Sequence, residues 1–321
     1  MIPDSGAVPR DDRTIVVALG GNALQPAGER GDIHQQFRHT RESLGAIVDL
    51  AGKGWRIAIV HGNGPQIGDA LVREEFGRAH APPLPLGVLV AATAGWIGYM
   101  IQQSLQNALE NAGVTRSVVT LITQVVVDRE AARARPTKPI GRPLDEARAH
   151  ALADEAGWSI APAGKGWRRM VPSPVPLEIV EAVQIRSLVE SGAIVIAAGG
   201  GGTPVYRDPV LRLEGVDAVI DKDRAAEVLA AGIGAAVLLI LTNVDGVYRA
   251  FGTPEQELLR ELRAADAARM LADGEFGAGS MGPKVEAALD FIIRGGTRAI
   301  IARLDQGLSA VLGESGTAIV P

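Results

Sequence analysis

No cysteine occurs in the 321 residues, which removes disulfides, thiolate metal sites and thiol nucleophiles together and suits a reducing cytoplasm. Histidine is scarce too, and the five residues do not cluster, so an imidazole metal cage has no support. Long apolar runs are missing. The longest, Leu86 to Ile101, falls short of the roughly 20 residues that span a bilayer and is interrupted by Gly87, Gly95 and Gly98, so it reads as a buried helix rather than a membrane segment. Charge of one sign is nowhere concentrated: the formal charge is -5, acids and bases are interspersed, and no basic stripe offers DNA or RNA a groove. Residues 1–13 lack the apolar core of an export signal and read as a loose polar arm. Two nucleotide signatures are also absent. No G-x-x-x-x-G-K-[ST] occurs, and no strand is followed by G-x-G-x-x-G with an acid about 20 residues on, which disfavours P-loop and standard dinucleotide folds.

What is present is apolar and periodic. Hydrophobic residues make up 47% of the chain, ample for one continuous core. Short runs rich in Val and Ile recur: TIVVALGG (14–21), RIAIVHGNG (56–64), SVVTLIT (117–123), AIVIAAGGGG (193–202), AAVLLILTNVDG (235–246), TRAIIA (297–302) and the closing TAIVP. Most lead into glycine and then a segment of helical spacing. Continuous rather than alternating hydrophobicity means strands covered on both faces, so the expected architecture is α/β: a three-layer αβα sandwich with a mostly parallel central sheet. Residues 129–176 break the rhythm, being rich in Arg, Pro and Ala with Trp158 and Trp167, and are expected to form a protruding lid subdomain inserted in a single domain spanning 14–321.

Four strand ends invite chemical reading: Gly20-Gly21-Asn22, Gly62-Asn63-Gly64-Pro65, the run Gly199 to Gly202, and LTNVDGVY at 241–248. Taken singly, each glycine pair is a tight turn. Together they matter more, because in an open parallel sheet all such turns gather at the carboxyl edge, where backbone N–H groups and helix N-termini face one crevice suited to phosphate.

Lysine is the remaining scarcity and the most useful one. Of 32 basic residues only five are lysine, so arginine serves the ordinary surface and a retained lysine marks a place for a compact mobile charge. Lys53 and Lys165 sit in two copies of AGKGW and read as solvated loop residues. Lys138 lies between prolines in PTKPIG, Lys222 between two acids in IDKD, and Lys284 in GAGSMGPK before a helical stretch. Three lysines converging from distant segments would suit phosphoryl transfer, which depends on positioning and charge neutralisation, with Asp223 holding the ammonium groups apart.

With these residues assembled, the chain resembles the carbamate kinases of the amino-acid-kinase family over nearly its whole length. The matching segments, in the family's order, are ALGGNAL (18–24), HGNGPQIG (61–68), WIGYMIQQ (96–103), PTKPIG (136–141), GWRRMVPSPVP (166–176), GGGGTPV (199–205), AVIDKD (218–223), LTNVDGVY (241–248) and GSMGPKVEA (279–287). The resemblance implies the amino-acid-kinase fold and reversible, magnesium-dependent phosphoryl transfer between ATP and carbamate, giving ADP and carbamoyl phosphate, run toward ATP synthesis in arginine or purine breakdown. It implies Lys138, Lys222, Lys284 and Asp223 as catalytic residues, and Gly20, Gly21, Asn22, Gly62, Asn63 and Gly64 around carbamate and the moving phosphate. It places the nucleotide near Gly200, Gly201, Asp245, Tyr248 and Met281, with magnesium on its phosphates and no metal site of the protein's own. A cytoplasmic homodimer with small-molecule substrates, and neither nucleic acid nor membrane as partner, completes the expectation. Other kinases of the same fold, acting on acetylglutamate, glutamate, aspartate or UMP, commonly carry a lysine in the first strand where Ala18 and Leu19 stand here. A nucleotide-binding protein without turnover is the remaining alternative. Two places depart from the family's pattern: Arg142-Pro143-Leu144 after PTKPIG, and Gly87 where an acid is common.

Overall fold

The computed structural model describes residues 11–26, 29, 31–164, 166–277 and 281–321, apart from the Asn22 side chain. Its centre is an eight-stranded sheet in the spatial order Glu261–Arg263, Thr317–Val320, Arg298–Arg303, Ala235–Thr242, Asp11–Leu19, Arg56–His61, Ile194–Ile196 and Val118–Thr120. The five strands from Arg298–Arg303 to Ile194–Ile196 pair in parallel, as does Val118–Thr120 at one edge. Thr317–Val320 runs antiparallel to Arg298–Arg303, so the sheet is mixed but mostly parallel.

The central strands show why their sequences are apolar throughout. Ile15, Val17 and Leu19 point into one hydrophobic layer with Ile57, Ile59 and Leu239, while Val16 and Ala18 point into the other with Ala58, Val60 and Leu238. Side chains alternate across a pleated strand, so a strand covered on both sides must be apolar at every position. The helices Gly45–Gly52 and Leu86–Asn111 cover the first face; Ala182–Glu190, Lys222–Ile233 and Gly282–Ile293 cover the second.

The apolar run beginning at Leu86 is a 26-residue helix burying Ile97, Met100 and Ile101. Gly98 lets it lie close on the sheet edge, because a Cβ there would meet the Thr120 side chain at 2.3 Å. Gly87 costs the helix nothing at its start. Its amide donates to the Asp217 carboxylate at 3.1 Å, so an acid from a distant segment supplies what the local sequence lacks. No helix of the described residues is long and apolar enough to cross a membrane.

The first strand starts at Asp11 rather than Thr14. Residues 11–13, assigned from sequence to the polar arm, belong to the sheet, held by pairing of Asp11 with Ala235 and an ion pair between Asp11 and Arg56; residues 1–10 lie outside the described residues. Lys138–Leu144, Ile160–Pro162 and Trp167–Val171 form a separate antiparallel sheet, accompanied by the helix Glu146–Ala156. Sequence reading did not anticipate a further four-stranded sheet of Arg212–Gly215, Thr203–Asp208, Gln124–Val127 and Pro176–Ile179. Three of these strands are partly exposed and interrupted by charge, so they lack the continuous apolar pattern of the central sheet.

Candidate active site

The first two central strands end level. Leu19 pairs with both His61 and Leu241, so the turns that follow all three strands open at one height on the sheet edge. Gly20 and Gly21 come from the first, Gly62 to Gly64 from the second, and Thr242 and Asn243 from the third, lining a cavity of about 270 Å³ together with Lys138, Lys222 and Lys284. A larger hollow of about 410 Å³, walled by Phe37, Trp96 and Tyr99, holds none of the three lysines.

The closeness of the first two turns explains their composition. A Cβ on Gly62 would sit 3.0 Å from the Gly21 nitrogen and 3.3 Å from Lys222 Cδ, so only glycine lets the two turns and the lysine stem share the space. Three helices contribute first-turn residues to the cavity wall: Gly64 and Pro65 of Gly64–Gly77, Lys222 of Lys222–Ile233, and Lys284 of Gly282–Ile293, which carries Pro283 in the same turn. Proline is tolerated there because its missing N–H would have no partner in the helix. The aligned helix dipoles favour an anion beside these first turns.

Asp223 organises the charge. It is 2% exposed, and its two carboxylate oxygens accept from different lysines: Lys222 at a short contact and Lys284 at 3.1 Å. Burial pushes its pKa up, but Lys222 and Lys284 outweigh burial and hold the carboxyl below its ordinary range. Asp221 caps the same helix by accepting from the Asp223 and Arg224 amides, and lies 3.6 Å from Lys138 Nζ, which donates to the Ile220 carbonyl at 2.9 Å. Burial lowers the Lys138 pKa, opposed by Asp221 and Asp223 and reinforced by Lys222. Three ammonium groups thus reach one pocket from the strand Lys138–Leu144 and two helix first turns, with one buried carboxylate between two of them. Such an arrangement is anion-seeking and can balance charge developing on a phosphoryl group.

His61 is fully buried, with Nδ1 facing the Gly62 carbonyl at 3.1 Å and Nε2 without a partner among the described residues. Burial lowers its pKa to about 4 against weaker backbone contacts to Gly62 and Ala94, so the ring is neutral at physiological pH. It packs against the four-glycine run. A Cβ on Gly199 would lie 2.5 Å from His61 Nε2, and one on Gly200 would lie 2.3 Å from the Asn63 amide nitrogen.

Not every residue singled out from sequence reaches this pocket in the same way. Lys138, Lys222, Lys284, Gly20, Gly21, Gly62, Asn63, Gly64 and Gly200 line it, with Asp223 directly behind two of the lysines. The Asn63 amide is turned to the Thr93 hydroxyl at 3.0 Å, tying the glycine turn to the long helix. Gly201 is pressed against the Ile220 carbonyl, the same oxygen that accepts from Lys138, Met281 packs on the core and accepts from the Lys284 amide, and Asp245 pairs with Arg303 at 3.0 Å near Tyr248; none of the four forms part of the cavity wall. The Asn22 side chain lies outside the described residues, as does Lys165; Lys53 is exposed. Sequence reading gave no role to Asp221, Thr242, Asn243 or Thr93. Asp221 carried a signal, an acid directly before a helical run, whereas the contact made by Thr93 had none.

Fold and site together define a phosphoryl-handling αβα enzyme. The profile of the Amino acid kinase family matches residues 13–303. A carbamate kinase of Pyrococcus horikoshii is 47% identical over 311 residues, covering 96% of this chain and 99% of its own. Among solved structures, carbamate kinase from Giardia lamblia bound to citric acid superimposes with a TM-score of 0.90 at 37% identity, covering 96% of this chain and 98% of its own; the form bound to AMP-PNP gives 0.88 at the same identity and coverage. The chain belongs to the amino acid kinase family, on its carbamate kinase branch.

Proposed function

We propose that this chain transfers a phosphoryl group reversibly between ATP and carbamate, and that Lys138, Lys222 and Lys284 neutralise the group in transit while Asp223 keeps the latter two aimed. The observation that carries the assignment of roles is the pair of ion contacts from one buried aspartate to two helix-borne lysines at the rim of the double-glycine turns. In the forward direction a carbamate oxygen attacks the γ-phosphorus and the bond to the bridging oxygen of ADP breaks; in reverse, carbamoyl phosphate makes ATP. Carbamate is already an anion, so no base is required, and a neutral buried His61 is compatible with that chemistry.

Gly20, Gly21, Asn22, Gly62, Asn63 and Gly64 are proposed to hold carbamate and the moving phosphate. The nucleotide is proposed to pass Gly200 and Gly201 and extend from Asn243 toward Asp245 and Tyr248, with Met281 beneath it. Support for this path is the position of Thr242 and Asn243 in the cavity wall, two to three residues before Asp245 in the chain. Magnesium enters as part of the nucleotide substrate in this reading, held by its phosphates. ATP synthesis in arginine or purine breakdown, a cytoplasmic location and a homodimer complete the proposal.

The test is ATP formation by the purified protein from ADP, magnesium and carbamoyl phosphate, with Lys222→Ala as control and acetyl phosphate as competing donor. Rapid turnover lost in the variant supports the assignment. A folded protein that binds ADP but makes no ATP from carbamoyl phosphate would move the assignment to another acceptor.

A further inference from the structure

Lys138 stands on the lid sheet, and something must hold that sheet against the body for its ammonium group to reach the pocket. The lid strand Lys138–Leu144 pairs with Trp167–Val171 through Ile140 and resumes only at Leu144, so residues 141–143 leave the ladder of their own sheet. What they meet instead is the helix Gly64–Gly77. Ile140, 3% exposed, is a peg among Ile67, Leu71, Val90 and Val219 of the body. Gly141, at φ +77°, lies backbone to backbone on Gly68: a Cβ on Gly68 would sit 2.0 Å from the Gly141 Cα. Arg142 then lays its guanidinium fork along Asp69, with Nε to Oδ1 and Nη2 to Oδ2 both 2.9 Å.

We propose that Asp69 and Arg142 are positioning residues, a two-pronged latch that keeps the lid strand closed on the helix Gly64–Gly77 and so holds Lys138 over the pocket; this rests on the proposed role of Lys138. Two neighbours stiffen the short arm to Lys138, because Pro139 and Pro143 fix φ on either side of the contact. The two paired side chains are 24% and 43% exposed, so the pair adds little to global stability, and its effect falls on the balance between closed and open lid.

The experiment compares Arg142→Ala, Asp69→Asn and the exchanged pair Asp69→Arg/Arg142→Asp by steady-state kinetics and by amide hydrogen exchange. Each single variant is expected to lower kcat for ATP formation about three- to fivefold, the range a partly exposed bidentate pair supports, with KM for ADP and the melting temperature nearly unchanged. Exchange in residues 138–144 should quicken while that of the helix Lys222–Ile233 stays the same, and the exchanged pair should restore both readouts. Single variants with wild-type kcat, or losses that the exchanged pair does not recover, overturn the latch. Should the wild-type protein make no ATP, the functional reading fails first, and hydrogen exchange still decides the latch: unaltered exchange in Arg142→Ala overturns it.

Discussion

Glu227 sits one turn beyond Asp223 on the same helix, 3% exposed at its side chain, where burial pushes its pKa up from 4.5 to about 7. Arg294, whose Nε lies 3.0 Å from the carboxylate, opposes the shift, as does Arg224 more weakly, while Asp290 adds to it. The folded protein therefore keeps the proton to about pH 7, whereas the unfolded chain releases it near 4.5. Between those values the folded state binds more protons, so this contribution to stability is complete below pH 4.5 and is lost as pH rises through 7. At about 1.36 kcal/mol per pKa unit the span is worth about 3 kcal/mol, a large share of a typical folding free energy. His61 acts in the opposite sense. Its pKa is lowered from 6.5 to about 4, so its contribution is present above 6.5 and is lost as pH falls toward 4, also by about 3 kcal/mol. From pH 4.5 to 6.5 the two slopes offset each other. The perturbation is Glu227→Gln, which removes one titration at nearly constant shape. Urea unfolding of both proteins from pH 4.5 to 8.5 should show the variant gaining about 3 kcal/mol relative to wild type as pH rises, and should expose the His61 slope below pH 6.5. A difference constant to within about 1 kcal/mol would refute the reasoning, because it would mean that Arg294 keeps Glu227 ionised in the folded state.

Three further outcomes follow from the same geometry. Asp223→Asn leaves Lys222 and Lys284 adjacent without their shared carboxylate; unfolding should show a loss of about 3–5 kcal/mol, and turnover should fall by at least about a hundredfold. Lys138→Ala should reduce kcat by about a hundredfold with KM for ADP nearly constant, read by steady-state kinetics, because its ammonium group is proposed to act on the group in transit rather than on the nucleoside. Ile59→Ala, in the middle of a strand covered on both faces, should cost about 2–5 kcal/mol by urea unfolding while leaving KM for ADP nearly unchanged.

Local sequence determined the strands, the glycine turns and the three lysines. Ile15 to Leu19 and Ala235 to Leu241 are apolar at every position because both faces of their sheet are covered, and that requirement acts residue by residue. The retained lysines could be read because arginine fills the ordinary surface positions. The tertiary structure alone decided which charges meet. Lys222 and Lys284 are far apart in the chain, yet they share Asp223 because the helices Lys222–Ile233 and Gly282–Ile293 pack side by side. Asp245, Tyr248 and Met281 lie in segments as suggestive as the others, and only the fold shows that they are not in the wall of the lysine pocket, Asp245 pairing with Arg303 and Met281 packing on the core. The amide of Asn63 turns to Thr93, Gly87 takes its partner from Asp217, and Arg142 finds Asp69 on the helix Gly64–Gly77. Each of these partners lies 30 residues or more away in sequence, and no local preference encodes a contact whose energy exists only when two separate elements are packed together.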